Sequence, residues 1–284
     1  MKTSLLIDGK NTAYRSVFAG RGNQEFAVHH PFAVWLRFTG FWLDKFKPDS
    51  VHVFWDCPSK EVWRKKILPE YKAHRQDLPA YTDDVQGELR SLINTAQKVL
   101  PYMGMRQYYR TNQECDDLIY SACRILTPSK PNVHKIIVIS NDSDFLQLQW
   151  SMPHVSVYLP KDRKFAEHPN CNPAIQKALC GDKSDNIEGF RGIGPVKSGK
   201  LASDIKQLIE YLDITDARKF KRNLALIDLS ANPAHLNNSL YIMRKMSEPV
   251  VVDKQQVDKL AMELKIRGLA AEYSRALLAL KKLV

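Results

Sequence analysis

The segment Ile136-Ile-Val-Ile-Ser-Asn-Asp-Ser-Asp144 joins a run of β-branched residues to two acidic residues. Such a short, continuous apolar run is typical of a strand in a parallel sheet that is buried on both faces. The same arrangement occurs twice more, since Asp8 follows the apolar run 5–7 and Asp56 follows the run 51–55. Ligands of open parallel sheets bind outside the carboxyl ends of the strands. We therefore predict that these acids converge in one crevice.

Strand and helix patterns alternate along the first 170 residues. A fourth strand is predicted at 155–159, and helices are predicted at 31–46, 84–100 and 114–126. This alternation predicts an α/β core, in which a mainly parallel central sheet is covered by helices. The segment 72–83, which is rich in Pro, Asp and Tyr, is the best candidate for a mobile excursion from that core.

The pattern changes after about Pro173, where strand signals largely vanish. Helices are predicted at 205–212 and 217–229, and in two further segments of which the last ends at Leu283. We place a domain boundary near residue 170, between a core formed by residues 1–170 and a helical region formed by residues 171–284.

The chain is basic, with a formal net charge of +11, although it also contains 31 acidic residues. Lys and Arg are spread along the chain, whereas many Asp and Glu are clustered. This distribution predicts a polyanion bound by the surface and a cation held where the acids converge. The alternative is a positive charge that serves only solubility.

The five cysteines include no Cys-x-x-Cys pair, which argues against a disulfide framework and against a thiolate zinc site. We expect reduced cysteines in the core. The N-terminus has no signal-peptide pattern, and the most apolar window, residues 32–46, is interrupted by Arg37, Asp44 and Lys45. These features predict a soluble cytoplasmic protein that has no membrane segment.

Further acids occur outside the strand ends. Glu114, Asp116 and Asp117 open a predicted helix, and Asp182 and Asp185 are three residues apart, as on one helical face. Each group has a structural explanation by itself: residues 111–114 match a capping box, and acids suit helix N-termini. Only together do the acids favour a functional site, because crowded carboxylates destabilise one another unless a cation neutralises them.

Carboxylate oxygens favour Mg²⁺ or Mn²⁺ over zinc. Two such ions, roughly 3.5 to 4 Å apart, can hydrolyse a phosphodiester: one lowers the pKa of its water, and the pair stabilises charge on the attacking and leaving oxygens. The acidic residues therefore predict a metal-dependent nuclease that cuts DNA without a side-chain nucleophile.

Gly192-Ile-Gly194 predicts a tight hairpin before a helix that begins near Pro195. Backbone N–H groups and a helix N-terminus can bind a phosphate there, and Arg191, Lys197 and Lys200 add charge without base specificity. The segment 194–200 also resembles the phosphate-binding loop of nucleotide hydrolases. However, Leu201 stands where that loop needs Ser or Thr, and no apolar strand precedes it.

Basic and aromatic residues are interleaved after Asp56, in the segments 63–66 and 71–75. The rings of Trp63, Tyr71 and Tyr81 would stack on unpaired bases while the cations meet phosphates. A solvated helix face is the structural alternative.

The ordered motifs resemble one family, the 5′ nucleases of phages and bacteria, also called flap endonucleases. The resemblance spans nearly the whole chain, and the compact length of the chain resembles that of the stand-alone phage enzymes. It implies a PIN-like nuclease core with an arch segment at about 60–90, and a helix-hairpin-helix motif at about 181–202 that binds duplex DNA. The motifs that carry it are Leu6-Ile-Asp8-Gly9, Phe54-Trp-Asp56, Tyr71-Lys-Ala-His-Arg75, Glu114-Cys-Asp-Asp117, Ser140-Asn-Asp-Ser-Asp144 and Gly181-Asp-Lys-Ser-Asp185-Asn-Ile.

The resemblance also assigns roles to residues. It implies that one ion is held by Asp8, Asp56, Glu114 and Asp116, and the other by Asp117, Asp142, Asp144 and Asp185, with Asp182 alongside. Lys72 and Arg75, with Arg64, would lie near the arch and contact the scissile phosphate as catalytic residues. Tyr71 and the segment 191–200 would contact DNA, and the carbonyls of the 192–194 hairpin would hold a potassium ion.

We therefore expect a Mg²⁺- or Mn²⁺-dependent 5′ to 3′ exonuclease and structure-specific 5′ flap endonuclease. Its partners would be DNA with a flap, nick or primer end, an RNA/DNA hybrid, and other replication proteins, and we expect a monomer. Cys115 and Glu188 depart from the usual residues of the family, but neither change removes a ligand. Two alternatives stay open: a DNA-binding helix-hairpin-helix scaffold without catalysis, and a PIN-like ribonuclease that acts on structured RNA.

Overall fold

The main sheet organises the N-terminal part of the chain. The computed structural model describes residues 2–22, 30–57, 61–77, 82–127 and 134–266. The strands of the sheet are β1 (Lys2–Asp8), β2 (Ser50–Phe54), β3 (Arg106–Tyr108), β4 (His134–Ile139), β5 (Val155–Leu159) and β6 (Lys164–Phe165). Their spatial order is β3-β2-β1-β4-β5-β6, in which neighbouring strands are parallel except for the β5–β6 pair.

The strand order reverses at β1. The chain moves from β1 through β2 to β3 on one side, and then returns to place β4 and β5 on the other. Asp8 pairs in register with Phe54, and Ile7 pairs with Ile139, so these three strands end at one edge. A crevice at the carboxyl ends beside such a reversal is the usual ligand site of open α/β sheets.

Helices cover both faces of the sheet and, with one small hairpin, make up most of the described residues beyond 172. In the described part of the chain they are α1 (Gly9–Gly22), α2 (Pro31–Phe46), α3 (Asp83–Val99), α4 (Cys115–Leu126), α5 (Leu146–Ser151), α6 (Pro173–Cys180), α7 (Pro195–Ser203), α8 (Ile205–Tyr211), α9 (Ile214–Ile227), α10 (His235–Ser247) and α11 (Lys254–Glu263). Asn172, Asp204, Asp213 and Asp253 cap four of them by accepting hydrogen bonds from backbone N–H groups.

The alternating side chains of the strands supply two cores. Leu5 and Ile7 pack with residues of α1, α2 and α3 on one face, whereas Leu6 packs with residues of α4, α5 and α10 on the other. All three side chains are completely buried. Burial of the sheet on both faces explains the continuous apolar runs 5–7 of β1 and 136–139 of β4.

The small hairpin consists of β7 (Gly181–Asp182) and β8 (Ile187–Glu188), joined by a 3₁₀ turn at Lys183–Asp185. Gly181 has φ of +83°, and a Cβ there would lie 2.4 Å from the backbone nitrogen of Gly189. Only glycine satisfies both conditions. This hairpin links α6 to the Gly192–Gly194 turn and α7. Helix α6 therefore ends just before the predicted 181–202 motif, and α7 lies within it and extends one residue beyond.

The predicted α/β core and the four predicted strands are confirmed. The bounds 155–159 and 31–46 agree with β5 and α2, whereas α1 and the short strands β3, β6, β7 and β8 were not predicted. The capping box at 111–114 was wrong, because helix α4 starts one residue after Glu114, which caps it reciprocally with Asp117. The helices predicted at 205–212 and 217–229 are present as α8 and α9. Two more helices, α10 and α11, follow them, whereas the predicted end of the last segment at Leu283 lies outside the described residues.

Two other predictions bear on the same regions. All five cysteines are free, and four of them are buried. The predicted arch segment contains 3₁₀ helices at Trp63–Lys66 and Ala73–Asp77, while Tyr81 lies outside the described residues. In the part of the chain that the structure describes, no helix has the length and apolar character needed to cross a bilayer.

Candidate metal centre

Five of the predicted acids meet at the carboxyl edge of the sheet. They line a cavity of about 120 Å³ together with Lys10, Asn11, Lys72, Arg75 and Cys115. The acids come from β1, from the segment after β2, from the start of α4 and from the segment after β4, so four separated parts of the sequence supply them. They are Asp8, Asp56, Glu114, Asp116 and Asp142.

Two groups of carboxylates are compact enough to hold a cation. One oxygen from each of Glu114, Asp116 and Asp117 lies within 4.8 Å of the others, and the same is true of a second group, Asp144, Asp182 and Asp185. Asp117 thus lies with the first group, whereas the resemblance had assigned it to the second ion. Asp182 and Asp185 lie on the β7 hairpin rather than on one helical face.

Asp8 ends β1 and is held in place by two donors. Its Oδ2 accepts a hydrogen bond from Ser140 Oγ at 2.8 Å, and its Oδ1 accepts one from the backbone N–H of Asn11 at 2.9 Å. Burial and the nearby Asp56 raise the pKa of Asp8 to about 6. A carboxylate in this position favours a bound cation, because ionisation is costly without one.

The two acids that follow β4 show the same effect. Burial and the adjacent Asp142 raise the pKa of Asp144 to about 6, and burial raises the pKa of Asp142 as well. The donors are all hard carboxylate oxygens, which suit divalent ions such as Mg²⁺ and Mn²⁺.

The N-terminus of α4 positions the first group. Glu114 is the N-cap residue, and its own backbone N–H donates to the side chain of Asp117. Asp56 Oδ1 accepts a hydrogen bond from the N–H of Cys115 at 2.7 Å, which ties the end of β2 to this helix. The positive end of the helix dipole lowers the cost of gathering these acids.

Arg64 lies inside the protein rather than at a surface that faces substrate. Its Nη1 donates to Glu114 at 2.7 Å, its Nη2 to Asp117 at 3.0 Å, and its Nε to the carbonyl of Leu226 at 2.8 Å. Because the side chain is only 1% exposed, it cannot reach a phosphate in this arrangement. Its geometry is that of a residue that positions the acids, in contrast to the expected phosphate contact.

Tyr71 and Trp63 also differ from expectation. Tyr71 is 1% exposed, and its hydroxyl donates to Asp185 at 2.8 Å and to Glu114 at 3.2 Å. The indole of Trp63 donates to Asp117 at 3.0 Å. Neither ring offers a free face for a base, so both aromatic residues support the acidic groups instead.

Lys72 and Arg75 do reach the cavity. Lys72 Nζ lies 2.6 Å from Glu114 and 3.6 Å from Asp185, while Arg75 Nη2 lies 2.6 Å from Asp185. The backbone of Lys72 has φ of +59°, which costs energy for a residue with a side chain, and its N–H donates to the carbonyl of Asp185. The surrounding contacts therefore fix Lys72 beside both acidic groups.

Sequence reasoning missed three residues of the site. Lys10 lies 2.9 Å from Asp56, Ser140 holds Asp8, and Lys177 contacts both Asp144 and Asp182. Ser140 stands within the quoted strand motif and could have been found there. Lys177 lies on α6, and nothing in its local sequence marks it as part of the site.

The glycine hairpin presents a cationic surface. Gly192 has φ of +75°, and Gly194 is the N-cap residue of α7, with Pro195 in the first turn. Arg191, Lys197 and Lys200 are all exposed on this segment. The N-terminus of α7 and these cations are suitable for a phosphate backbone, and their contact with DNA stays a prediction.

Comparison with known proteins agrees with this architecture. Residues 3–175 match the family described as "5'-3' exonuclease, N-terminal resolvase-like domain". A 5'-3' exonuclease of Mycoplasma pneumoniae is 29% identical over 97% of this chain and 100% of its own length. DNA polymerase I of Lactococcus lactis is 26% identical over 96% of this chain, which corresponds to 33% of the polymerase.

The fold has a counterpart among solved structures. The bacteriophage T5 flap endonuclease, in a pseudo-enzyme-product complex with DNA and metal ions, superposes with a TM-score of 0.66 and 18% identity, covering 93% of this chain and 98% of its own. This likeness shows a shared PIN-like nuclease fold. Because the family match covers more than half of the residues, the resemblance seen in the sequence is confirmed: the chain belongs to the 5′–3′ exonuclease family, whose members hydrolyse phosphodiester bonds.

Proposed function

We propose that this protein is a divalent-metal-dependent 5′ to 3′ exonuclease and structure-specific 5′ flap endonuclease that acts on DNA. One observation carries the proposal: five acids from four distant parts of the chain line one cavity at the strand reversal, and Lys72, which also lines it, contacts Asp185 of the second group. Burial raises the pKa values of Asp8, Asp116 and Asp144, and acids with raised pKa values in a crevice are typical of a functional site. The family match and the relatives named as 5'-3' exonucleases support the same activity.

Mg²⁺ is the ion that we propose for both groups, with Mn²⁺ as a substitute. Asp8, Asp56, Glu114 and Asp116 would hold the first ion around the cavity, whereas Asp144, Asp182 and Asp185 would hold the second, with Asp142 between the two groups. When bound, the ions would supply an activated water and would stabilise negative charge at the phosphate.

The protein itself contributes positioning and charge. Lys72 and Arg75 are partly exposed at the cavity, so their cationic groups can bind the phosphate that is to be cleaved. The buried side chains of Arg64, Trp63 and Tyr71 position the acids by donating hydrogen bonds to Asp117 and Asp185. This division leaves the open side of the crevice to the substrate.

We propose that the surface around Gly192–Gly194 binds the duplex next to the cleaved strand, with a potassium ion on the hairpin carbonyls. Contacts to the DNA backbone there carry no sequence information, so the enzyme would select a 5′ flap, nick or primer end by shape. The formal charge of +11 supports this mode of binding.

The test uses a 5′-labelled DNA flap with Mg²⁺, with and without EDTA. We expect cleavage by the unmodified protein and a loss of at least a hundredfold in Asp142→Asn. The control is Asp213→Asn, because Asp142 and Asp213 both cap helical turns, yet only Asp142 lines the cavity. Cleavage that survives EDTA, or equal rates in the two variants, would refute the proposal.

The same assay separates the alternatives. A scaffold would bind the flap without cutting it, and a ribonuclease would cut only an RNA or RNA-tipped strand. We expect cleavage of the DNA strand near the junction, and the position of the cut reports the polarity of the enzyme.

A further inference from the structure

The two acidic groups differ in what lies between their carboxylates. Asp8, Asp56 and Asp116 border the open cavity of about 120 Å³. The cation of the protein in the first group is Arg64, which contacts Glu114, Asp116 and Asp117 from inside the protein and is 1% exposed. The second group is bridged by a partly exposed cation: Lys177 Nζ is paired with Asp144 and lies 2.6 Å from Asp182 Oδ2. An ammonium group therefore occupies the part of the second group where a cation would bind.

Helix α6 brings Lys177 to this position. Asn172 caps the helix, and Ala178 and Leu179 anchor it through their buried side chains. Lys177 stands in its last turn, where the helix dipole favours a positive charge. The chain then passes directly into β7, which carries Asp182, so the spacing between Lys177 and this acid is fixed locally.

We propose that Lys177 is a resident cation of the second metal site, which holds the second group together in the metal-free protein and must withdraw before the second divalent ion binds. The ions would then load in order, with the cavity filled first. This inference rests on the proposed metal-dependent function.

Electrostatics supports such an exchange. Three carboxylates within 4.8 Å repel one another without a cation, and the ammonium of Lys177 relieves that repulsion. An ammonium and a divalent ion in contact with the same two carboxylates would repel each other strongly. Lys177 must therefore leave the two oxygens that it contacts, Asp144 Oδ1 and Asp182 Oδ2, before a divalent ion can bind to the same two oxygens.

The side chain of Lys177 is able to leave. It is 24% exposed and has a flexible stem, whereas Arg64 in the first group is buried and is also tied to the carbonyl of Leu226. A phosphate oxygen of bound DNA is a suitable new partner for the released ammonium. Loading of the second ion would thus be coupled to substrate.

The test counts bound Mn²⁺ by electron paramagnetic resonance on the full chain without DNA. In the unmodified protein we expect one tight ion and a second, weaker one. In Lys177→Met the second ion should bind at least about tenfold more tightly, whereas Lys177→Arg, which keeps the charge, should remain near the unmodified protein. Lys98→Met, which removes an exposed lysine on α3, is the matched control for net charge.

Thermal unfolding gives a second readout. In EDTA, Lys177→Met should melt at a lower temperature than the unmodified protein. Saturating Mn²⁺ should raise the melting temperature of the variant by more than it raises that of the unmodified protein. Lys177→Gln provides the same comparison with a polar, neutral side chain. A purely structural role for Lys177 predicts a lower melting temperature that Mn²⁺ does not restore.

The outcomes separate this inference from the proposed function. If the unmodified protein binds two Mn²⁺ ions and neither Lys177→Met nor Lys177→Gln alters the second affinity, the role of Lys177 is refuted and the metal-dependent function stands. If none of the proteins binds Mn²⁺, or if Asp8→Asn leaves the tight ion in place, the metal assignment itself fails.

Discussion

The guanidinium of Arg64 and the carboxylate of Asp117 form a buried ion pair, in which Nη2 lies 3.0 Å from Oδ1. Both side chains are at most 1% exposed. Since Arg64 also donates to Glu114 and to the carbonyl of Leu226 at the end of α9, the pair connects the C-terminal helices to the acidic groups. We infer that Asp117 acts mainly by fixing its neighbours, because its oxygens already accept from Arg64, Trp63 and the N–H of Glu114.

Removal of Arg64 should therefore destabilise the protein. Arg64→Ala leaves the carboxylates of Asp117 and Glu114 buried without their partner, a change that typically lowers the free energy of unfolding by about 3–5 kcal/mol. Urea denaturation in EDTA measures this effect. Arg90→Ala, at an exposed position of α3, should change stability by about 0.5 kcal/mol or less. Similar values for the two variants would show that the buried pair is not important for stability.

Gly9 should tolerate no side chain, because it lies where β1 meets α1 and touches the end of β2. A Cβ at this position would lie 2.6 Å from the ring of Trp55 and 2.7 Å from the carbonyl oxygen of Phe54. We expect Gly9→Ala to lower the free energy of unfolding by about 1–3 kcal/mol and to displace the adjacent Asp8.

The matched glycine for this experiment is Gly87 on α3, where a Cβ would meet nothing within 4 Å. Gly87→Ala should raise stability by about 0.5–1 kcal/mol, since alanine is the better helix former. Chemical denaturation of both variants in EDTA tests the contrast. Equal effects of the two substitutions on the free energy of unfolding would mean that the ring of Trp55 can move away from Gly9 and make room for a Cβ.

The raised pKa of Asp8 predicts a pH dependence of the metal-free protein. Burial and Asp56 move this pKa from 3.8 to about 6, so folding favours the neutral carboxyl group. That contribution to stability is complete below about pH 4 and is lost as the pH rises through 6. Asp8→Asn keeps the group neutral. In EDTA at pH 8, this variant should exceed the unmodified protein by about 1–3 kcal/mol in free energy of unfolding.

The advantage of Asp8→Asn should shrink as the pH falls toward 4, while Asp213→Asn should show no such trend. Urea denaturation at pH 4.5 and at pH 8 measures both variants. If Asp8→Asn and the unmodified protein differ by the same free energy of unfolding at the two pH values, Asp8 is ionised at both, and its burial does not disfavour the charged carboxylate.

The central strands were predictable because β1 and β4 are buried on both faces and contain the continuous apolar runs 5–7 and 136–139, while β5 is rich in β-branched and aromatic residues. The missed strands β3 and β6 are at the edges of the sheet and have only three and two residues. Such edge strands owe their conformation to pairing with a neighbour rather than to their own composition. Propensity within a few residues could not reveal them.

The site residues were likewise predictable only where the local sequence determines their position. Asp8, Asp56 and Asp142 were predictable because they stand just after strands, and the topology brings strand ends together. The burial of Tyr71 and Arg64 was not predictable, since it depends on α9 and the β7 hairpin, which close over them from more than 100 residues away in sequence. An interleaved aromatic and basic segment fits a DNA-binding surface and a buried ion-pair network equally well.

The exposed cations near the glycine hairpin give the last prediction. If Lys200 contacts a phosphate, Lys200→Gln should weaken the binding of duplex DNA in EDTA by about fivefold to tenfold at 0.1 M salt. The slope of log K against log salt should also fall by about 1. Fluorescence anisotropy at several salt concentrations measures both quantities. The control is Lys98→Gln, which removes the same charge from α3 and should leave the slope unchanged. An equal loss of affinity in this variant would mean that Lys200 acts only through net charge and makes no phosphate contact at the hairpin.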